Sequence, residues 1–161
     1  MGKLKMIITI CSVVLFAAVT STLAQQMPNP YGPNINLATA KKIAASAAEE
    51  AAKLKINVVI AVVDTSGHTV YLERFDGVQL GSIKVAQHKA KCAVQFKRPT
   101  KAMEDYVSKG NIGYLTLDGI CAIDGGEPII QDGKIIGAIG VSGGTSAQDG
   151  EVARAAAGLV K

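Results

Sequence analysis

Residues 56–63, Ile-Asn-Val-Val-Ile-Ala-Val-Val, form a nearly continuous β-branched run that limits the fold more than any other segment. Such a run has no polar face to offer water, so it reads as a central strand buried on both sides. Asp64-Thr65-Ser66-Gly67 follows with turn chemistry, and residues 68–75 resume as a strand with Val70 and Leu72 on one face. The two runs make a β-hairpin. A doubly buried strand needs a layer on each side of its sheet, and the rest of the chain has to supply the helices.

Those helices are legible. Asn36 caps a first helix over residues 37–55, rich in Ala with Lys and Glu along one side. A second covers 81–96 and carries Ile83, Val85, Ala86, Ala90, Ala93, Val94 and Phe96. Arg98-Pro99-Thr100 stops it, and Pro99 suits the first turn of a short third helix ending at Tyr106. Residues 109–118 read as an irregular loop of the length that often borders a site. A short strand is expected at 120–123, then a tight turn at Gly125-Gly126. Residues 127–130 and 134–141 flank Gln131-Asp132-Gly133, where Asp-Gly signals a hairpin. Gly143-Gly144 ends the sheet, and 146–159 closes the chain as a helix. This order predicts an α+β sandwich around a mainly antiparallel sheet, because hairpins outnumber βαβ crossovers.

The chain has 161 residues, which suits one domain able to bury a core without disulfides or metals. With 48% hydrophobic and 19% charged residues, wholesale disorder is excluded. The N-terminus obeys another logic. Lys3 and Lys5 precede an uncharged, largely apolar stretch at 6–19, and Thr20-Ser21-Thr22-Leu23-Ala24 supplies small residues before Gln25. Residues 1–24 therefore read as a signal peptide, and the protein as secreted or periplasmic. The apolar run is shorter than the roughly 20 residues of a spanning helix, so no stable membrane span is expected after cleavage. Residues 25–36 form an extended leader and 37–161 the domain. Removing Lys3 and Lys5 lowers the formal charge from +4 to +2, no footprint for nucleic acid. Cys92 and Cys121 remain, and sequence alone does not show whether they meet.

Familiar catalytic constellations are missing. Gly137, Gly140, Gly143 and Gly144 fit neither the Walker spacing nor Gly-x-Gly-x-x-Gly, although a glycine-rich turn before a helix can hold an anion. Zinc-finger, His-Glu-x-x-His and Gly-x-Ser-x-Gly patterns are likewise absent. One pairing has chemical content: His88 and Cys92 lie at i and i+4 on the second helix, and imidazole and thiolate both ligate haem iron. The competing reading makes Cys92 a small core residue and His88 the edge of its face. His68, straight after a turn, is a weaker candidate of the same kind. Lys89, Lys91, Lys97 and Arg98 are candidate partners for propionates, against the plainer view of a basic face meeting water.

Taken in order, several short motifs form a recognisable pattern. They are Val62-Val63-Asp64, Gly67-His68, Arg74 with Asp76-Gly77, Lys89-Ala90, Arg98-Pro99-Thr100, Gly125-Gly126 with Pro128, and Gly137-Ala138-Ile139-Gly140-Val141-Ser142-Gly143. From about residue 37 to the C-terminus the chain resembles the GlcG/HbpS family of small haem-binding proteins. The resemblance implies a profilin-like α-β-α sandwich, a homo-oligomer, haem as cofactor and, for some members, haem degradation or partnership with a redox sensor protein. It transfers no axial ligand: relatives commonly carry Thr where this chain has Cys92, and the first helix holds no His.

The leading expectation is an exported, oligomeric haem-binding protein acting in haem sensing, storage or degradation, with iron held from the second helix and His88 the first candidate. The alternative is an enzyme or binding protein for a small organic acid, with Asp64, Arg74 and Lys89 orienting a carboxylate near Gly143 and Gly144. A third is a signalling partner whose oligomer surface does the work.

Overall fold

The computed structural model describes residues 28–160. The β-branched run forms β1 (Val59–Asp64), which turns back into β2 (Thr69–Arg74). The Asp-Gly signal is answered by β3 (Gly126–Gln131) and β4 (Lys134–Ser142). The sheet runs β2-β1-β4-β3 with every neighbouring pair antiparallel. β1 and β4 take the two central places, as uninterrupted apolar runs should, and both are buried along nearly their whole length.

Helices cover both faces. On one lie α1 (Leu37–Lys53) and α4 (Ser146–Ala157), whose alanines pack on Ile60, Val62, Ile129, Ile139 and Val141. On the other lies α2 (Gly81–Gln95), whose Ala86, Ala90 and Ala93 meet Val59, Ala61, Val63 and Ala138. α3 (Thr100–Ser108) and a 3-10 helix (Ile112–Thr116) follow on α2's side of the chain path. The result is the expected α+β fold, helices on both faces of an antiparallel sheet. Asn36 caps α1 through Oδ1 and the Thr39 N–H. Thr145 and Gln148 make a reciprocal capping box on α4.

α2 lies unusually close to the sheet, and a pair of glycines makes room for it. Gly126 and Gly140 are cross-strand partners in the β3–β4 ladder. A Cβ at Gly140 would overlap the Ala86 carbonyl oxygen, and one at Gly126 the Lys89 carbonyl oxygen. The helix backbone thus occupies space that side chains would otherwise fill, and the small Ala86 and Ala90 let it settle there.

Two expectations need correction. Residues 120–123 form no strand: the Ile120 N–H donates to the Leu117 carbonyl and the Cys121 N–H to Cys92 Sγ, so a local turn and a side chain take donors that a ladder would have used. The loop at 109–118 contains the 3-10 helix instead of being wholly irregular. The leader also has a defined end: residues 30–35 lie beside β4 where β1 has already finished, joined through Gly32 to Ile135 and Ile35 to Ile136.

Gly140→Ala forces α2 away from the sheet or strains β4. It is expected to lower unfolding stability by about 2 kcal/mol or more in urea titration, in line with other overpacked cores. Gly133→Ala is not an equivalent control, because Gly133 has positive φ; Gly81→Ala, with open space around it, is, and should stay within about 1 kcal/mol of the parent.

Candidate functional site

α2 carries His88, Lys89 and Cys92: its period turns Lys89 away from His88, and the chain at Cys121 covers Cys92 one turn beyond it. Lys84, His88, Lys91 and Gln95 form an exposed stripe along the outer face. His88 stands in the middle of that stripe, between Lys84 one turn before and Lys91 one turn after. Cys92 points inward and is 1% exposed. Its sulfur accepts the Cys121 N–H at 3.2 Å, and burial pushes its thiol pKa up to about 11. A haem thiolate has to be reachable, and Cys92 is not. The i, i+4 spacing therefore does not give a two-ligand face: one residue lies outside the helix's buried edge and the other inside it.

Lys89 is also inside, 1% exposed. Its ammonium reaches from α2 past the end of the sheet to Asp149 Oδ2 at 2.8 Å and the Val141 carbonyl at 3.0 Å. Asp149 Oδ1 accepts the Gly144 N–H at 2.9 Å. Lys89 is thus spent within the fold, and the roles of propionate partner or substrate anchor are corrected accordingly. The glycine-rich turn before α4 does hold an anion, but the anion is the protein's own Asp149 carboxylate. Gly143 is a position of close packing, since a Cβ there would overlap the Asn57 carbonyl oxygen.

The remaining predicted residues do not converge. Asp64 Oδ1 takes the N–H groups of Ser66 and His68, closing the β1–β2 turn. Arg74, exposed, lies at the other end of that hairpin opposite Val59. Five residues of strand separate the two ends, roughly 17 Å. Asp64 therefore shares no pocket with Arg74 and Gly143, which lie toward the other end of β1 beside Val59. Arg98 Nε donates to the Phe96 carbonyl where α2 gives way to α3, roughly 15 Å along the axis from His88. His68 is exposed, with Nδ1 3.7 Å from Asp64 Oδ2. Its turn packs on α2, where Gly67 abuts the Lys91 stem and Thr69 accepts from Gln87 Nε2 at 3.2 Å. This brings His68 to the flank of the helix that carries His88.

A second polar cluster lies where β3 meets α4. Arg154 Nη1 donates to both Asp124 oxygens at 3.1 and 2.9 Å, and Glu104 Oε2 accepts from Ser146 Oγ at 2.6 Å and from the Asp124 N–H at 2.7 Å. Glu127 is buried beside them, with Oε1 lacking a hydrogen-bond partner and Arg154 Nη1 too distant at 3.6 Å. Burial raises the Glu127 pKa, Arg154 opposes it and Asp124 adds to it, for a value of about 7. In the sequence Glu104 belongs to the adjacent acid pair Glu104-Asp105, which reads there as solvated, and the other members carry no signal beyond the acids flanking Gly125-Gly126. Among the described residues no cluster of His, Cys, Asp and Glu side chains is arranged to hold a metal ion, and no helix is long and apolar enough to cross a membrane.

Residues 35–158 match the family model described as "Haem degrading protein HbpS-like". Protein GlcG of Escherichia coli strain K12 is 41% identical over 103 residues, covering 64% of this chain and 77% of GlcG. The crystal structure of HbpS superposes with a TM-score of 0.73 at 30% identity, over 81% of this chain and 92% of HbpS. The crystal structure of a PduOC–haem complex gives 0.71 at 28% identity, over 80% and 96% of the two chains.

Glu127 makes stability pH-dependent with a defined sign. Its folded pKa lies near 7 and its reference value is 4.5, so between these the folded state binds more protons than the unfolded. The neutral carboxyl's contribution is fully present below 4.5 and is lost as pH rises to about 7. Urea titrations across this window should show a falling component of at most about 3 kcal/mol, at 1.36 kcal/mol per pKa unit. Glu127→Gln should remove that component. An unchanged slope in the variant would place the pH dependence elsewhere.

Proposed function

The chain belongs to the HbpS-like family of haem degrading proteins, and on that footing we propose that it is an exported haem-binding protein whose iron ligand is the His88 imidazole. The observation that carries this reading is the exposed position of His88 on α2 with Lys84 and Lys91 on the same outer stripe. Of the two predicted ligands on this helix, only His88 is accessible. The donor set fits the group: an imidazole for iron, and ammonium groups one turn away on either side for two propionates. Haem supplies the redox-active iron; the chain's part is to hold it and to orient its carboxylates.

A relative's haem complex and the family's description support the same class of ligand. Val85, partly exposed three residues before His88, offers a porphyrin one apolar contact. We also propose a homo-oligomer, in which a second copy of the chain would shield a haem held by His88, Lys84 and Lys91 from water. Export is proposed on Lys3 and Lys5, the apolar stretch at 6–19 and the small residues before Gln25, which lie outside the described residues.

Titration of the protein with haem should give a saturable shift of the Soret band typical of imidazole ligation. His88→Ala should weaken binding at least tenfold, about 1.4 kcal/mol, and change the band position. Cys92→Ala should leave the band where it is. Absence of a saturable shift in the parent protein sinks the haem reading; an unaltered titration in His88→Ala sinks the ligand assignment.

A further inference from the structure

α2 carries one more reactive group, one turn beyond His88 and buried where His88 is exposed. Cys92 and Cys121 are both free thiols, 1% and 6% exposed. They come from distant parts of the chain, 29 positions apart, yet the Cys121 N–H donates to Cys92 Sγ at 3.2 Å. The Cys121 carbonyl oxygen lies 4.0 Å from the same sulfur. A disulfide requires Cα atoms roughly 4.4–6.8 Å apart with Cβ atoms facing one another. A sulfur in contact with the other cysteine's backbone makes the two residues direct spatial neighbours.

The segment between the two cysteines is unevenly held. α3 is anchored by buried Thr100 and Met103. The 3-10 helix that follows has no buried residue, and Ile112, Leu115 and Leu117 are 69%, 58% and 48% exposed. Cys121 is where this loosely packed stretch returns to the core. Cys92, by contrast, sits on a helix seated on the sheet by the Gly126–Gly140 gap. A covalent bond between the two cysteines would tie the return point of the loop to a helix seated closely on the sheet.

We propose that Cys92 and Cys121 are a reversible dithiol–disulfide pair that fastens the 109–121 loop to α2. The oxidant is a small-molecule disulfide of the glutathione type. Cys121, less buried and on the loop, gives up its proton and attacks one sulfur of that disulfide, releasing one glutathione thiolate and leaving a mixed disulfide. The Cys92 thiolate then attacks the Cys121 sulfur, forms the S–S bond and releases the second glutathione. The pair loses two protons and two electrons, and one oxidised glutathione becomes two reduced ones. Burial raises both thiol pKa values, so exchange proceeds through opening of the loop and is slow in the closed form. The pair stands independently of the haem reading.

The test uses the full chain carrying Cys11→Ala, equilibrated in glutathione buffers of graded oxidised-to-reduced ratio, then acid-quenched, unfolded and alkylated. Intact mass should pass from a doubly alkylated species to one that takes no alkylating agent and has lost two hydrogens, without an accumulating glutathione adduct. Dithiothreitol should reverse it. In the oxidised form, limited proteolysis within 109–120 should slow at least several-fold. Neither the mass change nor the protection should appear with Cys92→Ala or Cys121→Ala. The same chain unfolded in urea serves as the control for oxidising strength. Two alkylatable thiols persisting at ratios that oxidise the unfolded chain would overturn the proposal, and so would stable glutathione adducts on either cysteine in place of the internal bond.

Discussion

The Lys89–Asp149 ion pair ties the two helical layers together across the sheet. Both side chains are almost wholly buried, 1% and 4% exposed, at 2.8 Å separation. Taking an ammonium and a carboxylate out of water costs several kcal/mol each, and their attraction offsets this only when the remaining donors and acceptors are also met. Here they are: Lys89 has the Val141 carbonyl as a second acceptor, and Asp149 has the Gly144 N–H as a second donor. The pair's worth is therefore positional. α2 on one face and α4 on the other can sit in only one mutual arrangement that satisfies both charges. The passage between them exists because residue 125 is glycine, with positive φ and a Cβ position 2.8 Å from the Lys89 ammonium.

This dependence explains which parts of the structure could be read in advance. The hairpin of β1 and β2, the Asp-Gly turn and the Asn36 cap announce themselves because their signals are local: periodicity, turn residues and a capping side chain within a few positions. Lys89 carries no such signal. By helical phase it falls beside Ala86, Ala90 and Ala93 on the buried side, while its residue type argues for water. The tie is broken by a carboxylate 60 positions away. Cys92 is a different conflict: its phase is that of exposed His88, and the segment at Cys121, 29 positions away, covers it. The strand expected at 120–123 failed for a related reason: Cys92, also remote in sequence, captures the Cys121 N–H.

Much of the motif pattern that betrayed the family turns out to be packing. Gly140 lies within the Gly137–Gly143 block, and with Gly126 it makes the seat for α2. Asp64 closes a turn, Lys89 and Asp149 join the layers, and Gly143 lets the chain pass close to Asn57. Residues that recur as a spaced pattern for such reasons identify a fold with high specificity and carry little information about a ligand. The clues to function have to come from positions that packing leaves free.

The outer stripe of α2 is such a place, and its freedom rests on the constraint behind it. A binding imidazole gains from a backbone that does not move, because ordering a mobile ligand would be subtracted from its affinity. On the proposed assignment His88 would need no preorganising contacts of its own: the helix beneath it is held by the glycine seat on one side and by the Lys89 crossing one residue further along. The buried face thus does mechanical work for the exposed one. On this view the rigidity of α2 and the chemical openness of its outer face arise together, since the small residues and the buried charge that fix the helix also turn His88, Lys84 and Lys91 outward.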